Sequence, residues 1–436
     1  MASETADNSS ESTAYNWQLQ PLDNEAAKRA GANVMAGDQQ SQTTPATASP
    51  KWSPPMAKAR VVRPPRVVLD LEKLRHINCG LGRFCKYLSA EILAAAGRSI
   101  EPVFFMPPTT VQHGTNGGVE HIDVSPWRKE SFASLYRPLV QPFLRGQPGE
   151  RYDLWHITNQ MSKYLPLDDR VPVVLTIHDL NFVHDDEHKN RPHAVARKQR
   201  QIQRKVDRSV AIVTDSSYVA RDVAAHLRVG QRPIHVVPLG LAQPVPASPS
   251  RPTFMTQGEF LLSVGNALPH KNIHVLFDLI ERMPGKRLVI AGKKSTPYGA
   301  ILQDTVVKRG LRERVVLTGE VSDGDRQWLY ENCEAFLFPS LAEGFGFPVL
   351  EAMQCGKPVF MSRSTSLPEI GGELGFYWDS YAADHMMSVF TAGMQRVAGD
   401  HNFAAKLRAH ADSFSWARTA QAYLRVYDSV LRSGAA

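Results

Sequence analysis

The chain has 436 residues, more than one ordinary hydrophobic core holds, so two or three domains are expected. A hydrophobic fraction of 43% and a charged fraction of 21% are typical of a soluble globular protein, and no membrane-spanning helix is expected, because no run of about 18 apolar residues occurs. The net charge of +7 indicates either an anionic partner, such as a phosphorylated ligand, nucleic acid or a membrane, or simply a basic surface.

The cysteines and the amino terminus indicate the compartment. The four cysteines, Cys79, Cys85, Cys333 and Cys355, contain no CxxC pair and no metal-ligand spacing, which favours a reducing compartment and no structural zinc. The first residues lack the basic start and apolar core of a signal peptide. A cytoplasmic protein is therefore predicted.

The amino-terminal segment, residues 1–64, is predicted to be a disordered tail. It is rich in serine, threonine, alanine and glutamine, and it shows almost no apolar periodicity. Its end is basic and rich in proline. We interpret that end as a solvated linker, with contact to acidic lipid as the alternative.

The first predicted domain covers residues 65–240 and begins with a buried strand at 66–71. A glycine turn at 78–83 follows, and then an amphipathic helix. The apolar face of that helix is formed by Phe84, Leu88, Ile92 and Leu93. The turn is similar to a GxGxxG fingerprint, but Cys85 replaces the third glycine, so it indicates only a strand-to-helix crossover. Further strands are predicted at 102–106, 154–157, 210–214 and 234–238.

Another strand of this domain, at 171–177, ends in His178 and Asp179. Catalytic groups of parallel α/β folds collect at the carboxyl ends of strands. A histidine in this place can take a proton or hydrogen-bond a hydroxyl, and the alternative is that it only caps the turn.

A strongly basic helix is predicted at residues 191–208, where seven lysine and arginine residues accompany few apolar ones. Such a helix can rest on an anionic membrane, and a solvated charged face is the alternative.

The best domain boundary is the proline-rich linker at residues 241–256. Beyond it the alternation of strands and helices starts again, which predicts a second parallel sheet in a domain at 257–412. Its strands are predicted at 260–264, 287–291, 315–317, 335–338 and 358–361. The last segment, 413–436, is predicted to be a helix that packs against one or both domains.

Two loops of the second domain carry charged groups. The turn at 265–272 places Lys271 at the start of a helix led by Ile273, where the ammonium group and helix N–H groups suit a diphosphate. After the strand at 335–338, Glu343 lies in a glycine loop and Glu351 in the first turn of the next helix. Three exposed backbone N–H groups are expected between the two carboxylates.

The sequence EGFGFPVLEAM at residues 343–353 closely resembles the E-x7-E signature of the retaining glycosyltransferases of family 4, which have the GT-B fold. The resemblance covers most of the chain from about Arg66 to Tyr427, and it is more specific in the second domain than in the first. It implies an α/β fold of GT-B architecture, with two Rossmann-like, doubly wound parallel-sheet domains facing across a cleft. It also implies that the carboxyl-terminal helix crosses back to the first domain.

The resemblance also implies roles for individual residues. Catalytic groups would be His178 near the acceptor hydroxyl, Lys271 at the leaving diphosphate and Glu343 near the transferred sugar. Glu351 would bind the ribose of the donor. The remaining donor-binding positions would be Gly82, Asn266, Lys271, Glu343, Gly344, Phe345 and Gly346. Asn266 departs from the pattern, because many members carry an arginine there, so one cation fewer is expected at the diphosphate.

The reaction implied is transfer of a sugar, with mannose suggested by likeness to polysaccharide mannosyltransferases, from a nucleoside diphosphate sugar to a glycan or lipid-linked acceptor. Retention would arise from front-face attack or from a covalent intermediate on Glu343. No cofactor and no metal are expected, and no nucleic-acid-binding motif occurs. The location would be the cytoplasm, including a peripheral place at the inner face of the membrane. The alternatives are an epimerase or phosphorylase of the same fold, or a non-catalytic glycan- or nucleotide-binding protein.

Overall fold

The computed structural model describes residues 63–76, 79–108, 119–125, 128–144, 152–184, 192–248, 250–255 and 258–433. The predicted tail lies outside the described residues except for its last two positions. Among the described helices, none has the length and apolar character needed to cross a membrane.

The first domain is built on a seven-stranded sheet in which every neighbouring pair is parallel. Its strands are β1 (Arg66–Asp70), β2 (Glu101–Met106), β3 (His121–Asp123), β4 (Leu154–Ile157), β5 (Val173–Ile177), β6 (Ala211–Thr214) and β7 (Ile234–Val236). Their order is β3-β2-β1-β4-β5-β6-β7. The central strands are buried and rich in β-branched residues, as expected when helices cover both faces of a sheet.

The helices of this domain are α1 (Gly80–Ala96), α2 (Glu130–Leu144), α3 (Asn181–His184), α4 (Pro192–Arg208) and α5 (Ser217–His226). In α1, Phe84, Leu88 and Ile92 recur at helical spacing and are all buried against the sheet. The prediction for Leu93 was wrong, because this side chain points away from that face and is 38% exposed.

The second domain contains a six-stranded sheet, again with every pair parallel. Its strands are β8 (Phe260–Val264), β9 (Arg287–Ala291), β10 (Val315–Gly319), β11 (Ala335–Phe338), β12 (Val359–Ser362) and β13 (Phe376–Trp378), in the order β10-β9-β8-β11-β12-β13. Its helices are α6 (Val275–Glu281), α7 (Pro297–Lys308), α8 (Asp323–Asn332), α9 (Phe347–Gln354), α10 (Leu367–Gly371), α11 (Ala383–Ala398) and α12 (Phe403–Asp412).

Both sheets have the strand order of a doubly wound fold, which confirms the predicted fold class. The order reverses beside the first strand of each sheet, between β1 and β4 and between β8 and β11. A crevice forms at such a reversal, beyond the carboxyl ends of the strands, and it is the usual ligand site of these folds.

The carboxyl-terminal helix α13 (Trp416–Ser433) crosses back to the first domain, as predicted. It packs on α1, and its tyrosines bond side chains of the first sheet. The Tyr427 hydroxyl lies 2.7 Å from Nδ1 of His156, and the Tyr423 hydroxyl lies 2.9 Å from Oγ1 of Thr176. Nε2 of His156 is 2.8 Å from the same Oγ1 atom, so one buried polar network joins helix and sheet.

The two chain crossings between the domains lie side by side. The Leu241 amide donates to the carbonyl of Phe414 at 2.8 Å. A Cβ atom at Gly240 would lie 2.1 Å from the Trp416 nitrogen, so this close approach requires glycine.

Candidate active site

Two loops meet at the switch point of the second sheet. After β8 the chain forms a 3-10 turn at Pro269–Lys271, and after β11 it continues into the glycine loop. The Leu341 amide donates to the carbonyl of His270 at 2.7 Å, and the Ser340 hydroxyl donates to the same carbonyl at 3.2 Å. The loops that carry the two predicted charged groups are thereby fixed to each other.

Lys271 and Glu343 form an ion pair at this junction. Nζ of Lys271 lies 2.5 Å from Oε1 of Glu343, and the side chains are only 16% and 13% exposed. Lys271 does not begin a helix as predicted. It closes the 3-10 turn, and α6 begins four residues later at Val275, because Asn272 takes a left-handed conformation between them.

The glycine loop ends at Gly346, which has a φ of +127° and caps helix α9. Within the described part of the chain, the amides of Gly344, Phe345 and Gly346 donate no hydrogen bond. Phe345 and Gly346 are buried residues, whereas exposed amides were predicted at all three positions. The Ser366 hydroxyl donates to the carbonyls of Glu343 and Phe345 at 3.0 and 2.7 Å, which fixes the loop. Free amides at a helix start attract an anion or a sugar oxygen.

Glu351 lies one residue deeper in α9 than predicted, because the sequence predicted Pro348 as the first helical residue. The helix begins at Phe347, so Glu351 is its fifth residue and outside the first turn. The Tyr330 hydroxyl donates to its Oε2 atom at 2.8 Å, and Nη1 of Arg83 lies 3.7 Å from Oε1. Arg83 also approaches Asp323 of the second domain at 3.5 Å.

A pocket opens beside Glu351, between α1 of the first domain and α8 of the second. Its lining includes Arg83, Lys86, Asp323, Arg326, Tyr330 and Glu351. The basic side chains suit an anionic ligand, and the carboxylate and hydroxyl groups suit hydroxyls of a sugar. The predicted ribose contact of Glu351 is compatible with this position and stays a prediction.

Asn266 helps to shape the loops rather than presenting a free side chain. Its Oδ1 atom accepts a hydrogen bond from the Lys293 amide at 3.2 Å. A Cβ atom at Gly292 would lie 2.2 Å from the carbonyl oxygen of Gly265, so the two loops touch through backbone alone. A direct contact between Asn266 and the donor stays a prediction.

Gly82 lies in the first turn of α1, whereas a loop was predicted there. The helix starts at Gly80, and the Gly82 amide lies 3.4 Å from Sγ of Cys79, its capping residue. The predicted approach of Gly82 to a donor phosphate is not tested by these contacts.

His178 follows β5 and faces the second domain, and both of its ring nitrogens have partners. Nδ1 lies 2.7 Å from Oδ2 of Asp215, and Nε2 lies 2.9 Å from the carbonyl oxygen of Thr158. The edge of the Phe84 ring covers it, with centroids 4.6 Å apart. Since a carbonyl oxygen can only accept, Nε2 carries a proton.

Burial and the neighbours of His178 act on its pKa in opposite directions. Burial lowers the pKa of His178, but the charge and hydrogen bond of Asp215 and the carbonyl of Thr158 outweigh burial and raise the pKa above its usual value. Both ring nitrogens are bonded to groups of the first domain, so neither has a lone pair free for an acceptor proton in this arrangement. The predicted catalytic role of His178 stays a prediction.

The two domains are in contact at this end of the cleft. A Cβ atom at Gly344 would lie 2.3 Å from the carbonyl oxygen of His178, and the Ser216 hydroxyl is 3.3 Å from the Gly344 carbonyl. Glu369 of α10 accepts hydrogen bonds from the Ser217 and Tyr218 amides, the first two residues of α5, at 2.7 and 2.6 Å. A carboxylate of one domain thus caps a helix of the other.

Sequence reasoning missed several of these residues. Asp215 directly follows β6, so the rule that identified His178 also applies to it. Arg83, Tyr330 and Glu369 lie within helices, and their partners are distant in sequence, so no local pattern signals them.

Two family models match consecutive parts of the chain. The model described as Glycosyltransferase Family 4 matches residues 79–242, and the model described as Glycosyl transferases group 1 matches residues 247–387. The chain belongs to the GT-B glycosyltransferases. The two matches cover more than half of this glycosyltransferase, and the boundary between them falls within the predicted linker.

Curated relatives include two kinds of Escherichia coli protein. The serotype-specific mannosyltransferase WbdA is 34% identical over 185 residues, which is 40% of this chain and only 22% of that protein. The O-antigen chain mannosyltransferase B is 26% identical over 380 residues, or 80% of this chain and 96% of that protein.

Solved structures show the same fold. HepE of Anabaena, in complex with UDP and glucose, has a TM-score of 0.60 at 18% identity and covers 84% of this glycosyltransferase and 99% of that chain. Sucrose-phosphate synthase from Thermosynechococcus elongatus also has a TM-score of 0.60, at 16% identity, with 85% and 100% covered.

Proposed function

We propose that this glycosyltransferase moves a hexose from a nucleoside diphosphate sugar to a glycan or lipid-linked acceptor in the assembly of a surface polysaccharide. The observation that carries the proposal is the buried Lys271–Glu343 ion pair beside three free amides at the sheet's switch point. The O-antigen and serotype-specific names of the relatives support a polysaccharide product, and they make mannose the first donor to test.

The geometry supports separate roles for the residues around the leaving diphosphate. Negative charge grows on a departing diphosphate, so the ammonium group of Lys271 and the amides at the start of α9 stabilise the transition state more than the ground state. Glu343 holds the ammonium group in place before the donor arrives. The carboxylate of Glu351 and the pocket beside it would receive the nucleoside.

We further propose that transfer retains the anomeric configuration, by front-face attack and without a metal ion. The bond between the anomeric carbon and the diphosphate oxygen breaks while a bond to the acceptor oxygen forms. The acceptor proton passes to the leaving phosphate. This route needs no protein base, which agrees with a His178 whose two nitrogens are already bonded.

An anionic membrane is the partner that we propose for the first domain. On α4, Arg197, Arg200 and Arg204 are exposed at helical spacing, opposite the buried Ile202 and Val206. On α2, an apolar stripe is also exposed. It consists of Phe132, Leu135 and Leu139, which are 54%, 76% and 73% exposed.

Co-sedimentation with anionic vesicles should be lost when Arg197, Arg200 and Arg204 are replaced by glutamate, and unchanged sedimentation would contradict the membrane contact.

The decisive test of the proposed function is a panel of nucleoside diphosphate sugars in a thermal-shift assay, followed by transfer assays with the stabilising donor. A ligand at 100 times its dissociation constant stabilises a protein by about 2.7 kcal/mol. One sugar nucleotide should stabilise the wild-type chain, and Glu351→Ala should remove most of that shift. Failure of every sugar nucleotide to bind would overturn the proposal.

A further inference from the structure

Three potential metal ligands converge in the first domain, between α3 and α5. His184 is the last residue of α3, the short helix that follows the His178–Asp179 strand end. Asp222 and His226 lie four residues apart on α5, so they share one face of that helix. No sequence pattern indicated this cluster, because α3 and α5 are separated by more than thirty residues of chain.

The ligand atoms are close enough to share one ion. Oδ1 of Asp222 lies 2.8 Å from Nε2 of His184 and 3.0 Å from Nδ1 of His226, and the three atoms lie within 4.8 Å of one another. Nδ1 of His226 also donates to the backbone carbonyl oxygen of Asp222 at 2.9 Å, and an ion bound to this atom would replace that proton. Around a tetrahedral zinc with bonds of about 2.1 Å, ligand atoms are roughly 3.4 Å apart. Small side-chain adjustments therefore suffice to place an ion among them.

The charges of the cluster also favour a cation. The Asp222 carboxylate is only 6% exposed, and among the described residues its ion-pair contacts are the two imidazoles, with no lysine or arginine. A buried carboxylate needs a compensating positive charge or several hydrogen bonds. A divalent ion supplies that charge, and it binds neutral imidazoles through their lone pairs.

We propose that His184, Asp222 and His226 form a zinc-binding site. Two imidazoles and one carboxylate are a ligand set that zinc accepts, and water would complete the coordination. The ion would join α3 to the carboxyl-terminal end of α5. It would thereby fix the segment that leaves the His178–Asp179 strand end onto the helix whose other end is capped by Glu369.

The site is separate from the proposed transfer chemistry. None of its three residues belongs to the donor loops around Lys271 and Glu343, so the ion would have a structural role. The proposal consequently stands or falls independently of the proposed function.

The test uses the untagged full chain, stripped with a chelator and then dialysed against Zn²⁺. Elemental analysis should find one tightly bound zinc per chain. His184→Ala and His226→Ala should each weaken that binding at least tenfold, whereas His121→Ala, at an exposed histidine on β3, should leave it unchanged. The Co²⁺-loaded wild-type chain should show the visible absorption of a tetrahedral site, and the His184 variant should lose it.

Two results would overturn the proposal: a wild-type chain that binds no zinc at micromolar concentration, or equal affinity in the wild type and both variants. Circular dichroism checks that each variant is folded. His184 ends a four-residue helix and is half-buried, so its replacement is the one least expected to affect folding. If His226→Ala fails to fold, the comparison of His184→Ala with His121→Ala decides the question alone.

Discussion

At the scale of single residues, Lys271 has two opposing requirements. It must be neutralised before the donor binds, and it must be available to the phosphate oxygens when the bond breaks. A lysine that waits for a diphosphate in a half-buried place requires a counter-charge, and Glu343 provides it at 2.5 Å. When the diphosphate leaves, the same ammonium group can turn to the phosphate oxygens with only a side-chain movement. Its methylene stem stays near the Phe338 ring, with Nζ 5.1 Å from the ring centre.

Replacing Lys271 by methionine should lower kcat/KM about tenfold or more, because a hydrogen bond from a charged group contributes about 1.5–3 kcal/mol. Steady-state transfer kinetics with the identified donor measure the loss. Lys308→Met is the matched control, since Lys308 is an exposed residue of α7 that pairs with Asp304. Equal losses in both variants would remove Lys271 from the site.

The pair of His178 and Asp215 makes a second prediction at this scale. Asp215 raises the pKa of His178 against the effect of burial, so Asp215→Asn should lower that pKa. The pair stabilises the folded chain when the pH is below the pKa that the histidine has in the unfolded chain. That stabilisation is lost as the pH rises through the higher pKa that His178 has in the folded chain. Titration of the His178 ring by NMR measures the change. An unaltered titration midpoint in the variant would show that Asp215 does not hold the proton on the ring.

At the scale of elements, the docking of α13 depends on a histidine that is kept neutral. Burial lowers the pKa of His156 to about 3, with a smaller effect from the charge of His178. Its two ring nitrogens bond Tyr427 and Thr176 inside the interface between helix and sheet. A proton on both nitrogens would break this arrangement and leave a charge in the core.

Acid should therefore weaken the fold through His156. Between about pH 6.5 and pH 3 the unfolded chain binds a proton that the folded chain does not, so the free energy of unfolding falls by about 1.4 kcal/mol per pH unit. Asp70 has the opposite effect on the free energy of unfolding, because burial raises its pKa to about 7 and the folded chain then binds the proton more readily than the unfolded chain. The test is thus a difference between chains: urea unfolding from pH 7 to 5 should show a smaller loss in His156→Gln than in the wild type. Parallel curves would contradict this assignment.

At the scale of the whole molecule, the sequence was sufficient to predict two parallel sheets and most of their strands. Runs such as Val173–Ile177 and Phe260–Val264 are apolar throughout, because strands buried on both faces have no polar side. The two strands that were missed, β3 and β13, have three residues each and lie at sheet edges. Such short segments carry too little pattern to be recognised.

The candidate site could be predicted only where its residues follow the ends of strands. His178 and Glu343 were found in this way, whereas Arg83, Tyr330 and Glu369 act through partners brought close by the packing of two domains. Helix starts were also misplaced around Lys271 and Glu351. The reason is that a left-handed Asn272 and the capping Gly346 set those starts, and backbone conformation of this kind is not evident from residue type alone.

The carboxylate of Glu369 joins the two domains directly. Glu369 of the second domain receives two amide hydrogen bonds from the start of α5, and its side chain is mostly shielded from water. Arg221 lies 3.7 Å from the same carboxylate and adds a charge contact. The helix end that Glu369 caps directly follows Asp215 and Ser216, so the contact also positions the residues beside His178 and Gly344.

Removing the Glu369 carboxylate should favour the open form of the enzyme. In Glu369→Ala the Ser217 and Tyr218 amides lose their acceptors, whereas the Ser216 hydroxyl still accepts from the Val219 amide. Loss of a side-chain acceptor at a helix start costs about 0.5–2 kcal/mol, which would shift a closed population several-fold. Hydrogen exchange should become faster at these two amides, and small-angle scattering should show a larger radius of gyration. Glu373→Ala is the matched control, because Glu373 is an exposed carboxylate four residues further along the chain. If scattering and exchange agree between the two variants, Glu369 does not hold the domains together, and the remaining contacts between them, such as those at Gly344 and Arg83, do so.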